Sequence, residues 1–227
     1  DLQIPSVGAM EMTEPAILLQ NALTPVLSLE DEGAGIALLK RVFRFEVVGS
    51  SGGFGTMLRL GDQSILVTPK LSIVGAYQPH HLALSVPDTD DAMKMCLERG
   101  GVLAQSMTPE GPLEIPEFWS AGVRYVFFEG PEGALIEFCT KKGERAEASW
   151  GHDHIGIQCS DIAVSKAQFE TAGCELVAQH ALDRDDGITD VVFLRCGVSV
   201  AELFSPPGWD GSLQTPPKAG WVGCLNL

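Results

Sequence analysis

HHLALSVPD (His80–Asp88) and HDHIGIQCSD (His152–Asp161) are two lines of one pattern. Each sets a histidine, His81 or His154, at the head of a short apolar run that ends on Pro-Asp or Ser-Asp just before a helix-like segment. Alternate residues of a strand share a face. His81, Ala83 and Ser85 therefore lie opposite Leu82, Leu84 and Val86, while His154, Gly156 and Gln158 lie opposite Ile155, Ile157 and Cys159. A helix packs on the apolar face, so each histidine faces away from it, beside small residues that leave room.

Working outward from these lines, a repeat emerges. After His81 come the helical TDDAMKMCLERGG with its glycine stop, then VLAQSM, VRYVFFEG and ALIEFCT; after His154 come DIAVSKAQFETAG, CELVAQHAL, TDVVFLRCG and VSVAELFSPP. Both read strand, helix, strand, strand, strand. LTPVLSL, EDEGAGIALLKRVF, FEVVGS, GTMLRLG and SILVTP give a weaker third copy upstream. The predicted fold class is α+β, with three βαβββ units, the second and third paired into a half-open barrel around a cleft. Residues 1–76 are assigned to a degenerate unit with an N-terminal arm, 77–145 to the second unit, and 146–227 to the third with a C-terminal arm. The Pro-, Gly- and charge-rich stretches LSIVGAYQP and KKGERAEASWG read as linkers, and the tail after Ser205 as a packed extended arm.

Composition narrows the function classes. A formal net charge of -15 over 227 residues gives a field that repels phosphate backbones and anionic lipid. Neither nucleic acid nor membrane is therefore an expected partner, and no apolar run approaches the roughly 18 residues of a membrane span. Cys96, Cys139, Cys159, Cys174, Cys196 and Cys224 stand singly among apolar residues without CxxC pairs, which reads as buried thiols in a reducing, cytoplasmic setting.

The last strand of each later unit carries a carboxylate inside an apolar run: Glu137 in ALIEFCT and Glu202 in VSVAELFSPP. Such a group costs several kcal/mol unless it is paired or bound to a cation. If the two units pack around a shared cleft, His81, Glu137, His154 and Glu202 converge. Two neutral imidazoles and two carboxylates suit a divalent metal ion such as zinc, nickel, cobalt, manganese or iron(II), with open positions for water or substrate.

On these residues the chain resembles the vicinal oxygen chelate superfamily, which includes glyoxalase I, extradiol dioxygenases and bleomycin-binding proteins. HHLALSVPD, GPEGALIEF, HDHIGIQCSD and GVSVAELFSPP carry the resemblance over about residues 78–206. It places the family's first-strand histidine on His81 and His154 and its last-strand glutamate on Glu137 and Glu202. A four-ligand set of this kind implies a glyoxalase I-like lyase or isomerase acting by proton abstraction on a small carbonyl or hydroxy-carbonyl substrate, with Glu137 or Glu202 as base. An iron(II)-dependent extradiol-type dioxygenase and a non-catalytic small-molecule or antibiotic-binding resistance protein are the alternatives. The first unit departs from the pattern, with Thr24 at the histidine position and Ile65 or Val67 near the glutamate position. Since such units work in pairs, the odd first copy implies a homodimer formed through it.

Other residues carry weaker signals. His80 and His152 neighbour the proposed ligands and read as surface or supporting residues, whereas His180 in the second strand of the third unit could face the cleft and is a candidate substrate contact, no more. Trp119 and Arg124, in EIPEFWSAGVRY, belong to a Pro-bounded insertion where an aromatic and a guanidinium could bind an aromatic or anionic substrate, although a loop anchored by Trp119 explains them better. GSSGGFG (49–55) lacks the lysine and following helix of a phosphate loop and reads as a hairpin turn.

Overall fold

The computed structural model describes residues 22–50, 55–69, 78–143, 149–209 and 220–226. The N-terminal arm, the centres of both linkers, the middle of GSSGGFG and residues 210–219 of the tail lie outside them. The first unit comprises β1 (Leu23–Leu29), α1 (Glu32–Phe43), β2 (Glu46–Ser50), β3 (Thr56–Leu60) and β4 (Gln63–Pro69). The second runs through β5 (His81–Ser85), α2 (Thr89–Glu98), β6 (Val102–Leu103), β7 (Leu113–Ile115), β8 (Val123–Glu129) and β9 (Leu135–Lys141). The third holds β10 (Gly151–Gln158), α3 (Ile162–Thr171), β11 (Glu175–Arg184), β12 (Gly187–Cys196) and β13 (Ser199–Ser205), and β14 (Gly220–Asn226) closes the series.

The aspartate that ends each opening line has a physical task. Asp31, Asp88 and Asp161 are the N-caps of α1, α2 and α3, and each side chain accepts from the backbone N–H three residues on at 2.9 Å. The apolar strand is thus followed by a cap that starts the helix and turns the chain back over the apolar face.

Units two and three share one sheet, ordered β11-β12-β13-β10-β5-β9-β8-β6, with β7 beside β8. Its centre is the antiparallel pair β5 and β10, and each of these strands also pairs in parallel with the last strand of its own unit, β9 or β13. Leu82, Leu84, Ile136, Phe138, Ile155, Ile157, Leu203 and the apolar side of the first unit form the main core on the helix face. Ala83, Cys139, Val191, Phe193 and Phe118 gather on the opposite, concave face.

Three expectations need correction. The tail contributes β14, which lies antiparallel to β1, with Trp221 and Val222 buried; its arm belongs with the first unit's sheet, ordered β14-β1-β4-β3-β2. One edge of the first unit's sheet is thus formed by β14, hydrogen-bonded to β1. Secondly, Cys174 and Cys196 form a disulfide, because the β11–β12 register pairs Glu175 with Arg195 and sets the flanking cysteines opposite each other at the hairpin's open end. The reading of all six cysteines as thiols fails there, and with it part of the argument for a reducing compartment; Cys96, Cys139, Cys159 and Cys224 are free. Thirdly, Ile65 and Val67 face the main core, and the register of β4 on β1 sets Leu66 against Val26, as β9 sets Glu137 against Ala83. Leu66 thus occupies the glutamate's position in the first unit and packs with Val26 and Val222. Among the described residues, no helix is long and apolar enough to cross a membrane.

Candidate metal centre

Strand register alone brings the four predicted residues together. Across β5 and β10, His81 pairs with Gly156 and Ala83 with His154. Along the parallel pairs, Ala83 stands beside Glu137 and Gly156 beside Glu202. Each histidine thus lies diagonal to its own unit's glutamate, and the two halves repeat the arrangement.

The ring atoms and carboxylates meet at short range. His81 Nε2 is 3.2 Å from His154 Nε2, 3.1 Å from Glu137 Oε2 and 3.4 Å from Glu202 Oε2. His154 Nε2 is 3.5 Å from Glu137 Oε2 and 3.3 Å from Glu202 Oε2. Exposure of His81, Glu137, His154 and Glu202 is 3%, 7%, 6% and 8%, so the carboxylates are too deep for water to solvate freely. Among the described residues their only ion-pair partners are the two histidines. Room for the cluster comes from Gly156, where a Cβ would overlap the imidazole of His81.

Neighbouring groups orient the donors. Asp153 Oδ1 lies 2.8 Å from His154 Nδ1, and since a carboxylate accepts, this ring nitrogen carries a proton, so that in the neutral ring it is Nε2 that turns its lone pair to the cluster. His80 Nδ1 lies 3.0 Å from His81 Nδ1 and can play the same part, because burial, then the charge of His81, lowers its pKa to about 4 and keeps it neutral. Phe127, Phe193 and Phe204 surround the pair of rings, at 5.1 Å from His81, 5.7 Å from His154 and 5.9 Å from His81 between centroids.

Protons substitute for a cation in the charge balance. Burial works to lower the pKa values of His81 and His154, but the hydrogen bonds and charges of Glu137 and Glu202, with Asp153 for His154, outweigh it and raise both. Burial likewise opposes ionisation of Glu137 and Glu202, and the facing histidines overcome it to lower both. A set of two imidazole nitrogens and two carboxylate oxygens around one point matches the donors that borderline divalent ions take, and His81, His154 and Glu202 alone present three such atoms within 4.8 Å of one another.

Asp153 escaped the sequence reading, which groups alternate residues and so turns it away from His154. A bulge between His152 and His154 breaks the alternation and brings it inward. His152 serves the frame: its Nε2 accepts from Val200 N–H at 2.8 Å, and its Nδ1 contacts Gln63 of the first unit. Arg124 faces outward and forms a two-pronged pair with Asp90 at 2.6 and 2.8 Å, so it is not placed to meet a substrate anion in the cleft. Trp119 and His180 do reach the concave face, against Phe193 and Phe118.

No family model matches the chain, and no curated protein matches it. Solved structures do. Glyoxalase I from Zea mays superposes with a TM-score of 0.61 at 14% identity, covering 83% of this chain and 68% of that one. A mutant 4-hydroxymandelate synthase from Streptomyces coelicolor gives 0.51 at 11% identity, covering 86% and 73%. At this identity the likeness speaks for the backbone alone, and it agrees with the paired units, the open sheet and the cleft between them. What the superpositions show is a shared backbone fold: this chain is built like glyoxalase I, from paired βαβββ units around an open cleft.

Proposed function

We propose that the chain is a metal-dependent enzyme of glyoxalase I type, a lyase or isomerase that moves a proton beside the carbonyl of a small carbonyl or hydroxy-carbonyl substrate. The observation that carries this reading is a buried pair of histidine Nε2 atoms 3.2 Å apart, each of them 3.1 to 3.5 Å from an oxygen of Glu137 and an oxygen of Glu202. His81, Glu137, His154 and Glu202 would hold a zinc, nickel, cobalt, manganese or iron(II) ion, whose chemistry when bound is Lewis-acid polarisation of a carbonyl oxygen.

The protein's own groups do the rest. Asp153 fixes the tautomer of His154, and Phe127, Phe193 and Phe204 keep bulk water from the cluster. Either Glu137 or Glu202 takes the proton from the carbon next to the carbonyl and returns it to the neighbouring position. The second carboxylate favours this chemistry over ring-cleaving oxygenation, for which two histidines and one carboxylate suffice.

The test combines metal analysis of the purified protein with exchange of solvent deuterium into an α-hydroxyketone, followed by NMR. The expected result is one divalent ion per chain, with Glu137→Gln or Glu202→Gln keeping the ion while exchange falls by roughly 10² to 10⁴-fold, the usual share of a general base. A protein that neither contains nor takes up such an ion overturns the reading, as do two Gln variants with full metal and full exchange. Iron with oxygen consumption reassigns the chain to the dioxygenases, and tight ligand retention without turnover to the binding proteins.

A further inference from the structure

We infer that the cleft accepts a substrate whose chelating oxygens adjoin an aromatic ring, with His180 Nε2 as the hydrogen-bond partner of a polar group on that ring. The inference rests on the metal reading above and specifies the substrate class for the same site.

The first observation is where the aromatic residues sit. The chain is only 7% aromatic, yet Phe118, Trp119, Tyr125, Phe127, Phe193 and Phe204 gather on the concave face. They continue outward from the cluster, since Phe193 packs 5.7 Å from His154 and then 5.3 Å from Phe118 and 5.1 Å from Trp119. A planar ring gains edge-to-face and offset contacts along such a wall that an alkyl group does not.

The second observation is an orphan atom. Nε2 of His180 is buried and has no hydrogen-bond partner among the described residues. Its ring is flanked by Phe118 at 4.9 Å and Phe193 at 6.5 Å. Burying a ring nitrogen without a partner is unfavourable, and a hydroxyl or carbonyl on a bound aromatic group would satisfy it.

The third observation is strain on the same wall. Trp119 holds φ at 56°, the left-handed region, on the loop between β7 and β8. Such conformations persist where the surroundings over-determine them. Here the indole lies between Phe193 and the Lys141 ammonium, 4.3 Å from the ring centroid, and neighbouring Glu117 pairs with Arg184 of β11 at 2.8 and 3.1 Å. The loop is therefore fastened across the cleft with its aromatic side chains facing in.

Binding of three hydroxamates to the zinc-loaded protein tests this by calorimetry, because all share one chelating head. Benzohydroxamate is expected to bind at least about tenfold tighter than acetohydroxamate, and 4-hydroxybenzohydroxamate tighter again. His180→Phe removes the extra gain of the hydroxyl, roughly two- to tenfold for one hydrogen bond, and leaves benzohydroxamate unchanged; His180→Gln restores it. Zinc uptake with equal affinities for the acetyl and benzoyl probes overturns the inference and leaves the metal reading intact. Failure to take up zinc overturns the metal reading instead. The cleft is then probed in the zinc-free protein with 4-methylphenol against cyclohexanol, and a His180 ring resonance that 4-methylphenol does not shift overturns the inference as well.

Discussion

Gly156→Ala isolates the site from the fold. Gly156 faces His81 across the β5–β10 pair, and its φ is ordinary, so alanine adds no backbone strain. What it adds is a methyl group closer than 3.0 Å to three atoms of the His81 ring, where ordinary contact begins at 3.4 Å. The ring cannot slide aside freely, because Phe127, His80 and His154 stand 5.1, 5.3 and 5.3 Å from its centroid. Relief requires a displacement on the order of 1 Å in a close-packed interior, at about 1–3 kcal/mol for the overpacking. A ligand atom moved that far leaves the shared point, so zinc affinity falls by roughly 10²-fold or more, the upper end of what loss of a supporting group costs. Competition against a chromophoric chelator measures this, beside a thermal melt. Gly49→Ala is the control, since a methyl at that exposed strand position meets nothing within 4 Å; it should leave both readings unchanged. A Gly156→Ala protein that binds zinc as tightly as the parent would refute the assignment of His81 to the site.

Three further outcomes follow from the same geometry. Histidines with raised pKa values contribute stability that is complete below their unfolded value of 6.5 and lost as pH climbs through the folded values, whereas the lowered glutamates contribute above 4.5 and lose it as pH falls. The zinc-free protein should therefore weaken as pH rises above 6.5, while the gain in Tm on adding zinc grows, since uptake needs unprotonated rings; a zinc increment independent of pH contradicts this. Asp153→Ala releases the Nδ1–H of His154 and should lower zinc affinity about 10–100-fold, with Asp153→Asn recovering part of it through its remaining acceptor oxygen. Trp221→Ala removes a buried indole whose N–H donates to Leu135 O at 3.0 Å, and denaturant melts should register about 3–5 kcal/mol if β14 is integral to the fold.

How much of this was legible in the sequence depends on the range over which each feature is encoded. Units were legible because strand period, aspartate cap and glycine stop are local, and they recur. The His81 and His154 faces followed from period-2 alternation, and the four-residue convergence from the assumption that like units pair around a cleft. Asp153 was not legible for the same reason that its neighbour was: the alternation rule that assigns His154 to the cleft sends residue 153 the other way, and only the bulge reverses it. For the first unit the sequence points to Ile65 or Val67 at the glutamate position and the register gives Leu66, a single position away, which in a strand exchanges the core face for the other. Partnership across long separations left no local trace. The Cys174–Cys196 bond spans 22 residues and depends on hairpin register, and β14 finds β1 from the far end of the chain.

The first unit shows what the cluster demands of its surroundings. Its β1 and β4 reproduce the parallel pairing of β5 with β9 and of β10 with β13, and β14 takes the antiparallel place on β1 that β10 takes on β5. Backbone geometry is thus present for a second site, yet Thr24 replaces the histidine, Leu66 the glutamate, and Val222 packs against Val26 and Leu66. An apolar filling needs no cation, whereas two buried carboxylates facing two imidazoles need either a metal ion or shared protons. Holding four such groups in the second and third units, while the first has Thr24 and Leu66 at the equivalent positions, separates fold from chemistry within a single chain. The pairing of units builds the cleft, and the side chains at four register positions decide whether it can hold an ion.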